Sequence, residues 1–163
     1  MINTYHPLRV AIAGLGFGEN VHIPALLSNK NINLVGLWHP RPERLREACN
    51  KHNLHAYETW EALINDSEVE GIILATPPAP RYELALEAIK AGKHLLLEKP
   101  TCLNSEEVME LQRNSLKRNL KIAVDYEYRA VPLFMQAKRI INEQKLDDPF
   151  FVKLDWLMSS RAN

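Results

Sequence analysis

Two stretches of this chain place reactive residue types where a ligand could meet them. In "AGKHLLLEKP" (91–100) an apolar run ends in Glu98, Lys99 and Pro100. A lysine close to a strand end can donate to a substrate oxygen, and a proline after it suits a tight turn, cis or trans. In "AIAGLGFGENVHIPAL" (11–26) Gly14, Gly16 and Gly18 follow an apolar run and precede helical periodicity. Glycines at 14 and 16 let the chain turn sharply and let backbone N–H groups approach a pyrophosphate, whose charge is favoured at the next helix N-terminus. The third glycine of the dinucleotide fingerprint belongs at position 19, where this chain has Glu19. A glycine cluster of this kind also suits adenosylmethionine.

The residues that would read a ribose narrow the choice. A site for NAD usually has an acid about 20 residues beyond the first glycine, to accept from the ribose hydroxyls. Between Asn20 and Pro42 there is no Asp or Glu, and the second apolar run is followed by "WHPRPER". Of its His39, Arg41 and Arg44, the basic groups could meet a 2′-phosphate, so NADP is favoured over NAD on charge logic. The missing acid counts against adenosylmethionine as well.

The elements that must position these residues alternate along the chain. "LRVAIAG" (8–14), "INLVGLW" (32–38), "GIILATP" (71–77), "HLLLEKP" (94–100) and "KIAVDYEY" (121–128) read as strands, with a short one at "HAY". Helical stretches lie between them: one around Pro24, one opening at Pro42, one capped by Thr59, one closed by Gly92, and one capped by Asn104 or Ser105. Strand and helix alternating at this pitch require right-handed crossovers, which build a parallel sheet with helices on both faces. The expectation is a doubly wound Rossmann-type α/β domain over residues 1–125, its ligand outside the carboxyl ends of the strands. Residues 126–163 read as a connecting helix and the first strand of an incomplete second α/β domain. That strand is expected over 151–157, where Phe151, Lys153, Asp155 and Leu157 alternate with Val152, Leu154 and Trp156.

Bulk properties agree with small-molecule chemistry. The 163 residues carry 20 Lys and Arg against 20 Asp and Glu, so no basic or acidic footprint points to nucleic acid or an anionic membrane. No apolar run approaches the roughly 18 residues of a membrane span, and no leader pattern opens the chain; a soluble, cytoplasmic protein is expected. Cys49 and Cys102 have neither disulfide-scaffold nor zinc spacing, and no metal site is expected.

Taken together, "GLGFGENVHIPAL", "RPERL", "ATP" at 75–77, "AGKHLLLEKP" and "VDYEYRAVP" at 124–132 resemble the Gfo/Idh/MocA group of nicotinamide-dependent oxidoreductases, over nearly the whole chain. The resemblance implies an N-terminal Rossmann domain followed by a domain with an open, mostly antiparallel sheet. It implies hydride transfer between a nicotinamide and a hydroxyl-bearing carbon, typically of a sugar or polyol. It further implies that Gly14, Leu15, Gly16, Phe17 and Gly18 hold the pyrophosphate and that Thr76 and Pro77 line the cofactor. Glu98 would contact the nicotinamide ribose, Lys99 would orient the substrate oxygen, and Arg129 would lie near the nicotinamide end. His22 matches the histidine of the group's "HxPAL", where a structural role is expected. His39 stands where NAD users often have Asp, and "PAPRY" replaces the usual Asn-x-x-His after "ATP".

In this group a histidine of the second domain acts as general acid/base. None of the six histidines here occupies that place. The polypeptide alone is therefore expected to bind dinucleotide but to turn over poorly, and an exposed last strand would invite pairing with a second copy. The competing reading is a non-catalytic dinucleotide-binding or interaction module in which Lys99 is idle.

Overall fold

The computed structural model describes residues 6–143 together with 151, 153 and 155. Six strands form one sheet: β1 (Leu8–Ala13), β2 (Ile32–Trp38), β3 (His55–Ala56), β4 (Gly71–Leu74), β5 (His94–Leu97) and β6 (Ile122–Val124). Their order is β3-β2-β1-β4-β5-β6, and every pairing is parallel. The chain winds outward from β1 in one direction, then crosses back to β4 and winds in the other. The order therefore reverses between β1 and β4, which leaves a crevice at their carboxyl ends.

Side chains alternate between two cores, as a sheet covered on both faces demands. Val10, Ile12, Leu34, Leu37 and Ile73 pack with Ile23 of α1 (Ile23–Leu27) and Leu45 and Ala48 of α2 (Pro42–His52). Ala11, Ala13, Ile72, Leu74, Leu95 and Leu97 face the other way. They meet Leu63 of α3 (Trp60–Asn65), Ala85, Ala88 and Ile89 of α4 (Pro78–Lys90), and Leu111 of α5 (Ser105–Lys117). The family of strands thus follows the doubly wound Rossmann pattern.

Local chemistry sets the helix ends. Thr59 Oγ1 accepts from the Ala62 N–H at 3.0 Å, and Asn104 Oδ1 accepts from the Glu107 N–H at 2.9 Å, so Asn104 is the cap and Ser105 the first helical residue. Past the end of α4, Gly92 takes φ +82°, a left-handed conformation natural to glycine. One element differs from expectation. The helix after β1 begins as a π-helical turn over Gly18–His22, in which the Ile23 N–H donates to Gly18 O five residues back. Pro24, which has no N–H to continue that pattern, follows at once, and α1 proceeds with ordinary spacing. The strands are also shorter than their apolar runs: β4 stops at Leu74, β5 at Leu97 and β6 at Val124. The residues beyond turn outward to make loops.

The chain divides into two compact units, one ending at Asp125 and one starting at Tyr126. Within the second, a 3₁₀ turn over Glu127–Ala130 precedes α6 (Pro132–Glu143), an amphipathic helix. The strand expected over 151–157 falls largely outside the described residues. No helix among the described residues is long and apolar enough to cross a membrane.

Candidate dinucleotide site

Each strand end in the crevice is tied to its neighbour by a bond continuing the ladder. The Gly14 N–H donates to Trp38 O (3.0 Å), the Ala75 N–H to Ala13 O (2.8 Å), and the Glu98 N–H to Leu74 O (3.1 Å). The loops after β1, β2, β4 and β5 therefore start in register and surround one cavity of about 600 Å³. Gly14, Leu15, Gly16 and Phe17 line it from β1, and His39 and Arg41 from β2. Thr76, Pro77 and Arg81 line it from β4 and α4, and Glu98 and Lys99 from β5. Ten of the residues expected in the site thus share one hollow at the switch point.

The glycines divide the work. Gly14 has φ +101°, and a Cβ there would lie 2.6 Å from the Ala75 carbonyl group and 2.8 Å from Thr76 N. Only a glycine lets the β1 and β4 ends come this close. At Gly16 a Cβ would meet nothing within 4 Å, so the backbone is bare toward the cavity. Gly18 departs from expectation. It does not line the cavity; a Cβ there would sit 2.9 Å from Ile12 Cγ2, so this glycine allows the π-helical turn to press onto β1. It does the packing work that the fingerprint assigns to its third glycine, one position early.

Glu19, standing at that third-glycine position, is buried and turned away into α2. Its carboxylate pairs with Lys51 at 2.9 Å and Arg44 at 3.1 Å. Chiefly through the Lys51 hydrogen bond, its pKa is held below the usual carboxylate range. Arg44 also pairs with Glu47 at 2.7 Å and does not line the cavity, so it is not placed to read a phosphate there. At the end of β2 the Arg41 N–H donates to His39 Nδ1 at 3.1 Å, and burial lowers the imidazole pKa. His39 is consequently neutral near pH 7, and the positive charge at this corner belongs to exposed Arg41.

On the other side the structure adds residues that motif reading passed over. Arg81, buried in the first turn of α4, donates to the carbonyls of Thr76, Glu98 and Pro100 and so joins the loops after β4 and β5. The Lys99–Pro100 peptide is cis. A cation in a helix's first turn opposes the macrodipole, and that was the signal available in "PAPRY". Glu98 is buried, its Oε1 2.8 Å from His22 Nε2 and its Oε2 accepting from the Lys99 N–H at 3.2 Å. Lys99 is exposed, its Nζ 5.9 Å from the centroid of Phe17. Arg129 belongs to the second unit, exposed on the Glu127–Ala130 turn.

These residues fit a nicotinamide dinucleotide. The open backbone at Gly16 can meet a pyrophosphate, Arg41 offers charge at the ribose-reading position, and Thr76 Oγ1 is buried without a hydrogen-bond partner. A doubly wound sheet with such a turn at its switch point defines a Rossmann dinucleotide-binding domain. Residues 8–126 match the Gfo/Idh/MocA oxidoreductase family with its NAD-binding Rossmann fold, and the chain belongs to that family. It is 37% identical over 157 residues to an uncharacterized oxidoreductase of Synechocystis, covering 96% of this chain and 42% of that protein. It is 26% identical to the inositol 2-dehydrogenase/D-chiro-inositol 3-dehydrogenase of Lactiplantibacillus plantarum, covering 90% and 43%. Among solved structures, an NAD-binding protein from Listeria innocua superposes with a TM-score of 0.78 at 28% identity, covering 85% and 41%. The chain thus spans about two-fifths of the length of the relatives it matches.

Proposed function

We propose that this domain binds NADP in preference to NAD and serves hydride transfer between the nicotinamide and a hydroxyl-bearing carbon of a sugar- or polyol-like substrate. The observation that carries the reading is that the glycine turn and the Glu98–Lys99 pair, far apart in sequence, open onto one cavity at the switch point. In this reading the backbone around Gly16 takes the pyrophosphate and Arg41 the 2′-phosphate, so the adenosine half lies toward β2. The nicotinamide half then lies toward β5, where Glu98 accepts from its ribose and Lys99 donates to the substrate oxygen. The bound cofactor supplies or accepts the hydride. The inositol dehydrogenase among the relatives supports a polyol as the class of substrate.

Titration calorimetry with NADPH and NADH tests the reading. Binding of both, with NADPH tighter by about tenfold as one charge-assisted phosphate contact provides, is the expected result. Tighter NADH would remove Arg41 from phosphate reading, and binding of neither would end the dinucleotide assignment.

A further inference from the structure

We infer that His22 is a positioning residue for the nicotinamide half of the cofactor, acting through Glu98; this rests on the dinucleotide reading above. His22 is the last residue of the π-helical turn and is 6% exposed. With the Glu98 carboxylate as acceptor, the His22 proton sits on Nε2 and is donated across 2.8 Å. The ring also stands edge-on to Phe17, 5.4 Å between centroids. One imidazole therefore touches two parts of the cavity lining: the phenyl group after the glycine turn that follows β1, and the carboxylate at the end of β5.

A structural role alone would not require this chemistry. Two buried ionisable side chains gain little over an apolar pair of the same shape, because their desolvation offsets their attraction. What the pair does provide is direction. Both oxygens of Glu98 are held, one by His22 and one by the Lys99 N–H, while the residue lines the cavity. Asp125 Oδ2, 3.8 Å from the same Nε2, puts a second carboxylate on that side of the ring, which favours the Nε2–H tautomer over one protonated on Nδ1 alone. Without the Nε2 donor, one Glu98 oxygen loses its buried partner and the carboxylate is free to turn, so its accepting geometry toward a ribose would be lost.

The test compares the tighter-binding cofactor with the fragment that lacks the nicotinamide and its ribose, 2′-phospho-ADP for NADPH or ADP for NADH, on the full polypeptide. His22→Leu should weaken the cofactor about tenfold, as expected for one lost charge-assisted contact, and leave the fragment within about twofold. His22→Gln, whose amide can still donate at that reach, should recover most of the loss. His22→Asn keeps polarity without the reach and should behave like the leucine variant, which keeps the test open if that variant does not fold. Parallel loss of cofactor and fragment, unchanged affinity for both, or a glutamine variant no better than asparagine would overturn the inference. If the wild-type chain binds neither probe, it is the dinucleotide reading that fails.

Discussion

Three glycines within five residues carry three different physical demands, and substitution separates them. Gly16 faces open space, so Gly16→Val should leave the melting temperature within about 2 °C of wild type while lowering cofactor affinity at least about 100-fold by blocking the backbone. Gly14 combines a positive φ with a near-contact to the β4 end. Gly14→Ala should therefore cost about 1–3 kcal/mol of stability by denaturant titration, with or without ligand. At the ribose corner, Arg41→Ala should weaken NADPH by about tenfold and NADH by less than twofold, measured calorimetrically. Gly14 and Gly16 were legible in the sequence because an apolar run stands before them and helical periodicity after. The role of Gly18 and the diversion of Arg44 were not. Both depend on Glu19 turning into α2, a choice made by partners 25 and 32 residues away. Likewise His22 reads as a lone helical histidine until the fold brings in Glu98, 76 residues on.

At the level of elements, two cross-links hold the crevice in shape. Arg81 ties the start of α4 to the end of β5 through three carbonyls. Arg81→Met should cost about 3 kcal/mol in chemical denaturation, since two buried carbonyls and a part-buried one lose their donor. Arg81→Lys should rescue little, because an ammonium cannot reproduce the planar fork. The second cross-link is Glu19 to α2. Its pKa is depressed in the folded state, so the stability it contributes is present above the unfolded value of about 4.3 and is lost as pH falls through the lower folded value. Glu19→Gln should be less stable than wild type by about 1 kcal/mol at pH 7, the exposed Lys51 end being screened, and the gap should close as pH falls below the ordinary carboxylate range and through the lowered folded value. The order of strands and helices was readable because each strand is an apolar run bounded by turn residues and because Thr59, Gly92 and Asn104 mark helix ends. Strand ends were overestimated where apolar residues continue into loops, as at Ala75. The π-helical turn had no signature beyond the early Pro24.

For the molecule as a whole, both cores and the cavity lining found among the described residues lie before Tyr126. A polypeptide of residues 1–125 should accordingly unfold in one cooperative step and bind cofactor within about threefold of the longer chain, by calorimetry. Cofactor at 100 times its dissociation constant should raise the stability of either by about 2.7 kcal/mol. The lack of net charge means that this binding gains nothing from long-range attraction and should depend on salt only through the local phosphate contacts. The Arg81 link has a kinetic meaning as well. Because it fastens the β4 and β5 loops to each other before any ligand arrives, capture of the cofactor needs no loop to close on this side. The entry rate should then rise in simple proportion to cofactor concentration without levelling off, and differences among site variants should appear in how long the cofactor stays.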